Sequence, residues 1–194
     1  AAPPAGAAHA ATGASSAYNT DDQLNNHTDQ SLYGTPGFLL AFHCARGEGN
    51  NSITDGFAVA RALHARSPEH FAALAEHGMD AGRHLDYYRG GDMSFRTASK
   101  VLQLDADGEL HRVCYHDIFR APLTVPYADF ERYFAALRAF YELVHSGEFQ
   151  MSFTLRAGQA IVFNNWRMMH GRAGLAGKAR VFGQGGDDAD LIEE

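Results

Sequence analysis

The sequence predicts a mainly β fold with α insertions, built on a double-stranded β-helix (jelly-roll) core, and three observations carry that reading. Phe149, Met151, Phe153 and Leu155 alternate strictly, the period of a strand with one buried face. Residues 32–44 (LYGTPGFLLAFHC) pass through a Gly-Thr-Pro-Gly turn into a nearly continuous apolar run, the pattern of a buried strand. Helical periodicity is confined to segments near 55–78 and 127–146, set between strands, with no βαβ rhythm and no internal repeat.

Taken in order, residues 1–16 (AAPPAGAAHAATGASS) hold no bulky apolar side chain. They bury too little surface to offset their ordering entropy and read as low-complexity, disordered chain. The chain opens on Ala1 rather than Met, so a preceding segment is expected. One domain is expected over 17–194, long enough for a sizeable core. Arg46 to Asn51 is polar and reads as a loop, and residues 56–65 (GFAVARALHA) read as a short helix. Ser67 marks the N-cap of a second helix, with Pro68 in its first turn, Phe71, Leu74 and Ala75 on its apolar face, and Gly78 as its stop. Residues 84–104 are strand-like and broken at Gly90-Gly91. Val101, Leu102 and Leu104 then face Leu110, Val113 and Tyr115 across Asp105-Ala106-Asp107-Gly108, a hairpin signature. Phe130, Tyr133, Phe134, Leu137, Phe140, Tyr141 and Val144 recur every three or four residues and read as the core stripe of a long helix. Gly158 turns the alternating strand into another at Ala160-Ile161-Val162-Phe163.

A net charge of −7 without any Lys/Arg run argues against nucleic acid or an anionic membrane surface as partner. No apolar run approaches the ~20 residues that span a bilayer, and the start lacks the basic and apolar regions of a signal peptide. Two cysteines, Cys44 and Cys114, form neither a disulfide framework nor a zinc ribbon, so a reduced, cytoplasmic setting is the default expectation. A small-molecule ligand is the expected partner, and a homodimer is compatible with this composition.

Candidate metal ligands lie far apart in the chain. His27-Thr28-Asp29 is near the start, and His170 closes the run Asn165-Trp166-Arg167-Met168-Met169-His170-Gly171-Arg172 near the end. A His-x-Asp pair alone is a weak signal, since 11 His and 14 Asp produce about 0.8 such pairs by chance. Indeed His84-Leu85-Asp86 is a second. Context separates them. In extended chain, residues i and i+2 share a face and can bite one ion, and His27-Thr28-Asp29 lies in a polar segment just before a buried strand. His84 and Asp86 follow a helix stop and read as surface or strand-edge residues. Two imidazoles and a carboxylate can occupy one face of Fe(II) and leave the other open for co-substrate and O2. Three protein ligands plus water would also suit catalytic zinc. Arg180, ten positions beyond His170, stands where an organic acid could be held. Among the other histidines, His64, His70, His77 and His145 read as solvated, and His43 as a hydrogen-bonded core residue. Cys44 reads as a small buried hydrophobe.

These stretches carry a family likeness. The sequence resembles the Fe(II)- and 2-oxoglutarate-dependent oxygenases of the γ-butyrobetaine hydroxylase and trimethyllysine hydroxylase family, within the taurine dioxygenase-like group. The matching residues are Ala17-Tyr18, His27-Thr28-Asp29, Phe42-His43-Cys44, Asp55-Gly56-Phe57, Val101 to Asp105, Val125-Pro126, Phe134 to Leu137 and Phe163 to Arg172, covering residues 17 to about 182. The resemblance implies a single catalytic jelly-roll domain over 17–194. It implies His27, Asp29 and His170 as iron ligands and Arg180 as partner of the distal carboxylate of 2-oxoglutarate, with Arg172 as rival. A guanidinium fork matches a carboxylate bidentately. Ser52 is implied as a further co-substrate contact. Tyr18 matches one tyrosine of the family's aromatic cage for a trimethylammonium group. Where the family carries another cage tyrosine this chain reads Gln184-Gly185-Gly186, and where it carries paired asparagines this chain has His116-Asp117. His116 and Asp117 are thus candidate substrate contacts, with solvated strand-end residues as the alternative.

The implied activity is hydroxylation of a small ammonium-bearing substrate with Fe(II), 2-oxoglutarate and O2, giving succinate and CO2. The alternatives are the same chemistry on another small amino acid or zwitterion, or a non-catalytic metal-binding relic of this barrel.

Overall fold

A computed structural model describes residues 23–31, 33–45, 48–88, 91–117, 122, 124–172 and 181–183. Strands β1 (Leu24–His27), β2 (Leu39–Cys44) and β3 (Glu48–Asp55) lead into helices α1 (Gly56–Arg66) and α2 (Pro68–Glu76). Two hairpins follow, β4 (Gly78–Tyr88) with β5 (Gly91–Lys100), and β6 (Leu102–Leu104) with β7 (Leu110–Val113). Helix α3 (Phe130–Val144) precedes β8 (Gln150–Arg156), β9 (Ala160–Asn164), β10 (Met168–Arg172) and β11 (Val181–Gly183). The fold is therefore β-rich, with the helices grouped between β3 and β8.

Two antiparallel sheets frame the site, one in the order β1-β10-β3-β8 and the other β11-β2-β9. They meet across a small apolar cluster of Leu40, Ile53 and Phe163, with Phe42, Phe153 and Ile161 packed around it. The larger core lies on the other face of the four-stranded sheet, where Met169 packs among residues of α1, α2, α3 and the hairpin strands, including Val59, Leu63, Leu74, Tyr133 and Phe140.

Local chemistry explains the helix starts. Asp55 accepts from the amides of Phe57 and Ala58 and caps α1, while Ser67 accepts from the His70 amide and caps α2 as its sequence predicts. The expected hairpin forms with Gly108 at φ +82° and Asp105 Oδ1 accepting from the amides of Asp107 and Glu109.

Several expectations need correction. Arg46 to Asn51 was expected as loop, yet β3 starts at Glu48 and pairs with β8 from there and with β10 from Asn51 on. A ladder on both sides outweighs polar composition. The core stripe of α3 is narrower than its apolar positions: Tyr133, Leu137, Phe140 and Val144 are buried, whereas Phe130, Phe134 and Tyr141 are exposed. His43 is exposed rather than core. His77 is half-buried against Asp129, and His145 stacks on Tyr141 instead of standing in solvent. Cys44 is fully buried, as expected. No helix among the described residues is long and apolar enough to cross a membrane.

Candidate metal centre

β1 carries His27 as its last residue, and the strand is so polar (LNNH) that only its pairing with β10 makes it a strand. That pairing sets His27 directly opposite His170. Gly171 permits the approach, because a side chain there would bring its Cβ to 2.7 Å from the Leu24 carbonyl oxygen. The two imidazole centroids lie 4.4 Å apart. Asp29, two residues on, turns its carboxylate between them, with Oδ1 3.3 Å from His27 Nε2 and 3.7 Å from His170 Nε2. One ligand atom from each of the three lies within 4.8 Å of the others.

The donor set fits a divalent cation. Facial ligands at ~2.1 Å from an ion stand about 3 Å from one another, and the Asp29 oxygen, at 3.3 Å and 3.7 Å from the two imidazoles, is near that spacing. His27 Nδ1 lies 2.7 Å from the Asn25 carbonyl oxygen, which can only accept. Nδ1 therefore carries a proton, and Nε2 is the nitrogen that faces Asp29 and is left for a metal. Burial holds the His170 imidazole down at about 3, with the charge of His27 acting the same way and Asp29 opposing. Burial alone would raise the Asp29 carboxyl, but His170, the hydrogen bond with His27 and the charges of His27 and His116 outweigh it and lower it to about 2. Near neutral pH the centre offers an anionic carboxylate and a neutral His170, the protonation states that metal binding requires.

Phe42 and Phe163 flank the His170 ring at centroid distances of 4.8 Å and 5.2 Å and close its inner side to water. On the other side the fully buried His116 packs on His27, with centroids 4.4 Å apart. Its Nδ1 is 3.9 Å from Asp117, whose other carboxylate oxygen accepts from Asn25 Nδ2 at 2.8 Å. His116 is thus buried against the triad, while Asp117 is half-buried and held by Asn25.

Ser52 stands opposite Gly171 on β3 and donates to Asn26 Oδ1 at 2.6 Å, within a polar network that includes Thr54 and Gln150. Alternation puts it on the face of β3 away from Ile53, and therefore away from the cluster between the sheets. Arg172 is half-buried and lines a cleft of about 340 Å³ together with Asn25, Asn51, Ser52 and His145. Tyr18 and Arg180 lie outside the described residues, as do the side chains of His84 and Asp86.

Sequence reasoning passed over Asn165, which bonds the backbone of Asp29, and over two neighbours that tie the surrounding loop and strand. Asn165 bonds the Asp29 amide and carbonyl, and Trp166 Nε1 donates to the Pro36 carbonyl at 3.0 Å. Arg167 makes a two-pronged ion pair with Asp55, at 3.1 Å and 2.6 Å, and so ties the start of β10 to the cap of α1. The available signal was the spacing of Asn165, Trp166 and Arg167 ahead of His170.

Comparison with known proteins agrees with this geometry. Residues 5–183 match the family described as taurine catabolism dioxygenase TauD, TfdA family. The human γ-butyrobetaine dioxygenase is 32% identical over 159 residues, covering 79% of this chain and 40% of that protein. The rat mitochondrial trimethyllysine dioxygenase is 28% identical over 171 residues, covering 82% and 39%. Among solved structures, asparagine oxygenase in complex with Fe(II), 2S,3S-3-hydroxyasparagine and succinate superposes with a TM-score of 0.61 at 16% identity, covering 84% of this chain and 49% of that one. The chain thus spans about 40% of the length of the curated relatives it matches. With a family match over nearly its whole length, this chain belongs to the TauD/TfdA dioxygenase family.

Proposed function

We propose that the chain carries the catalytic domain of an Fe(II)- and 2-oxoglutarate-dependent hydroxylase acting on a small ammonium-bearing molecule of the γ-butyrobetaine or trimethyllysine kind. The convergence of His27, Asp29 and His170 from opposite ends of the chain, in a member of this family, is the observation that carries it. The core is a double-stranded β-helix within a single domain over 17–194. In support, the chain changes sheet at each step from β1 to β3 and again from β8 to β11, the winding of a jelly roll.

When bound, iron supplies the oxidative decarboxylation of 2-oxoglutarate by O2, giving succinate and CO2, coupled to hydroxylation of a C–H bond. His27, Asp29 and His170 would hold the ion. The Asn25 carbonyl fixes the His27 tautomer, and Phe42 and Phe163 keep water from His170. Arg180 takes the distal carboxylate of the co-substrate in this reading, with Arg172 as the alternative cation. Tyr18 supplies an aromatic face to the substrate ammonium, and His116 and Asp117 border the same pocket.

A second reading, the same chemistry on another amino acid or zwitterion, is favoured by the commitment of Asp117 to Asn25, which reduces the attraction it offers a cation.

The test is Fe(II)-dependent conversion of 2-oxoglutarate to succinate, with γ-butyrobetaine, trimethyllysine and free amino acids compared and hydroxylated product followed by mass spectrometry. His170→Ala should lower turnover on the order of 100-fold or more, beyond the usual effect of a residue that only supports a ligand. Turnover that survives that change ends the oxygenase reading. Stimulation by an amino acid alone, with neither quaternary amine active, moves the substrate to the second reading.

A further inference from the structure

We infer that Asn165 is a positioning residue that holds Asp29 in the metal centre, its side-chain amide replacing the strand neighbour that Asp29 lacks. The inference rests on the metal reading above.

The ladder between β1 and β10 ends at the pair His27 and His170. From there the chain leaves β10, and Thr28 exchanges hydrogen bonds with Tyr115, its amide donating to the Tyr115 carbonyl and its hydroxyl accepting from the Tyr115 amide. Asp29 thus projects its carboxylate from a point where the ladder has ended. Gln30 directly after it adopts a left-handed φ of 58°, so the chain turns sharply at the ligand.

Asn165 fills that gap. Its Oδ1 accepts from the Asp29 amide at 2.9 Å, and its Nδ2 donates to the Asp29 carbonyl at 3.1 Å and to the Gly37 carbonyl at 3.0 Å. The first two bonds reproduce the paired exchange of an antiparallel ladder. The third ties the far end of the same loop. Both amide protons are used, and Asn165 is 1% exposed, so water cannot substitute for a lost bond without rearrangement. The Asn165 amide in turn donates to the Phe38 carbonyl at 2.8 Å. Asn165 lies in the turn that begins β10, five residues before His170. One buried side chain therefore sets the ligand from the start of the chain against the ligand from its end.

Co(II) binding to the full chain, read by visible absorbance alongside the unfolding midpoint of the metal-free protein, tests the assignment. Asn165→Asp keeps shape but opposes a carboxylate to two carbonyl oxygens. Asn165→Ser removes the pairing without adding charge and is measured in parallel, so that a folding failure of one variant does not decide the matter. Trp166→Phe is the comparator, since it removes the Nε1 bond to Pro36 in the same loop while keeping an aromatic ring beside Phe38 and His111. The expected result is Co(II) affinity roughly 10–100-fold weaker in the Asn165 variants, the usual range for a residue that supports a ligand. Their visible bands should shift, while Trp166→Phe binds as the wild type does. Unchanged affinity and bands in both Asn165 variants overturn the assignment. So does an equal loss in Trp166→Phe, which would reduce Asn165 to general loop stability. A wild-type protein that binds no Co(II), or binds it equally after His170→Ala, overturns the metal centre itself and this assignment with it.

Discussion

Met169 and His170 are adjacent on β10 yet enter two unlike regions. Met169 points into the helical core, where 17 buried residues among those described, mostly apolar, form one continuous cluster. His170 points between the sheets, where among the described residues Leu40, Ile53 and Phe163 form the smaller buried apolar cluster. Besides Phe42 and Phe163, His170 has His27 and Asp29 as neighbours, and His116 and Asn165 are held against those two in turn. Close packing on one face provides the stability, so the other face can hold titratable groups that contribute little to folding by themselves. Strand alternation separates the two regions by a single residue.

That division can be broken by mutation. Phe140 is fully buried in α3 against Tyr115, and Phe140→Ala should cost about 3–5 kcal/mol in urea unfolding. Metal affinity of the remaining folded protein should be unchanged. A parallel fall in affinity would mean that the two regions are not independent.

A smaller effect is expected at the seam between them. Asp55 caps α1 and pairs with Arg167 at the start of β10. Burial opposes its ionisation, but the hydrogen bond from Arg167 outweighs burial and holds the carboxyl below its ordinary value. A depressed folded value means that this stabilisation is complete above the unfolded value of ~3.9 and is lost as pH falls through the folded one. Asp55→Asn keeps a capping acceptor and loses the ion pair, at about 0.5–1 kcal/mol. The stability gap between wild type and variant should close below about pH 4. A gap that persists undiminished to pH 2 rules out the ion pair as its source.

The smallest effect belongs to the outer side of α3. Phe134 is 53% exposed, so Phe134→Gln should change the unfolding free energy by no more than ~0.5 kcal/mol. A larger loss would show that this face is covered in solution and that the helical core extends beyond the buried stripe.

Elements with strong local signals were legible in advance: Ser67 as cap, the Asp105–Gly108 turn, the apolar run of β2 and the alternation of β8. His27, Asp29 and His170 could be named as candidates in advance, because few residue types hold a metal and the run that ends in His170 is specific. The placement of β1 and β3 was not. Their polar sequences, LNNH and EGNNSITD, carry no strand period and become strands only through their ladders, β1 on β10 and β3 between β10 and β8. Asn165 was equally hidden, since an asparagine in a turn looks solvated until the Asp29 backbone is folded against it. His27-Thr28-Asp29 and His84-Leu85-Asp86 are alike in spacing, and chain position and context alone favoured the first. The sequence by itself determined which chemistry the chain could hold, because donor type is a property of single residues. Only the tertiary structure decided that His27, Asp29 and His170 come together, because their meeting depends on a ladder between segments more than 140 residues apart, His27 against His170.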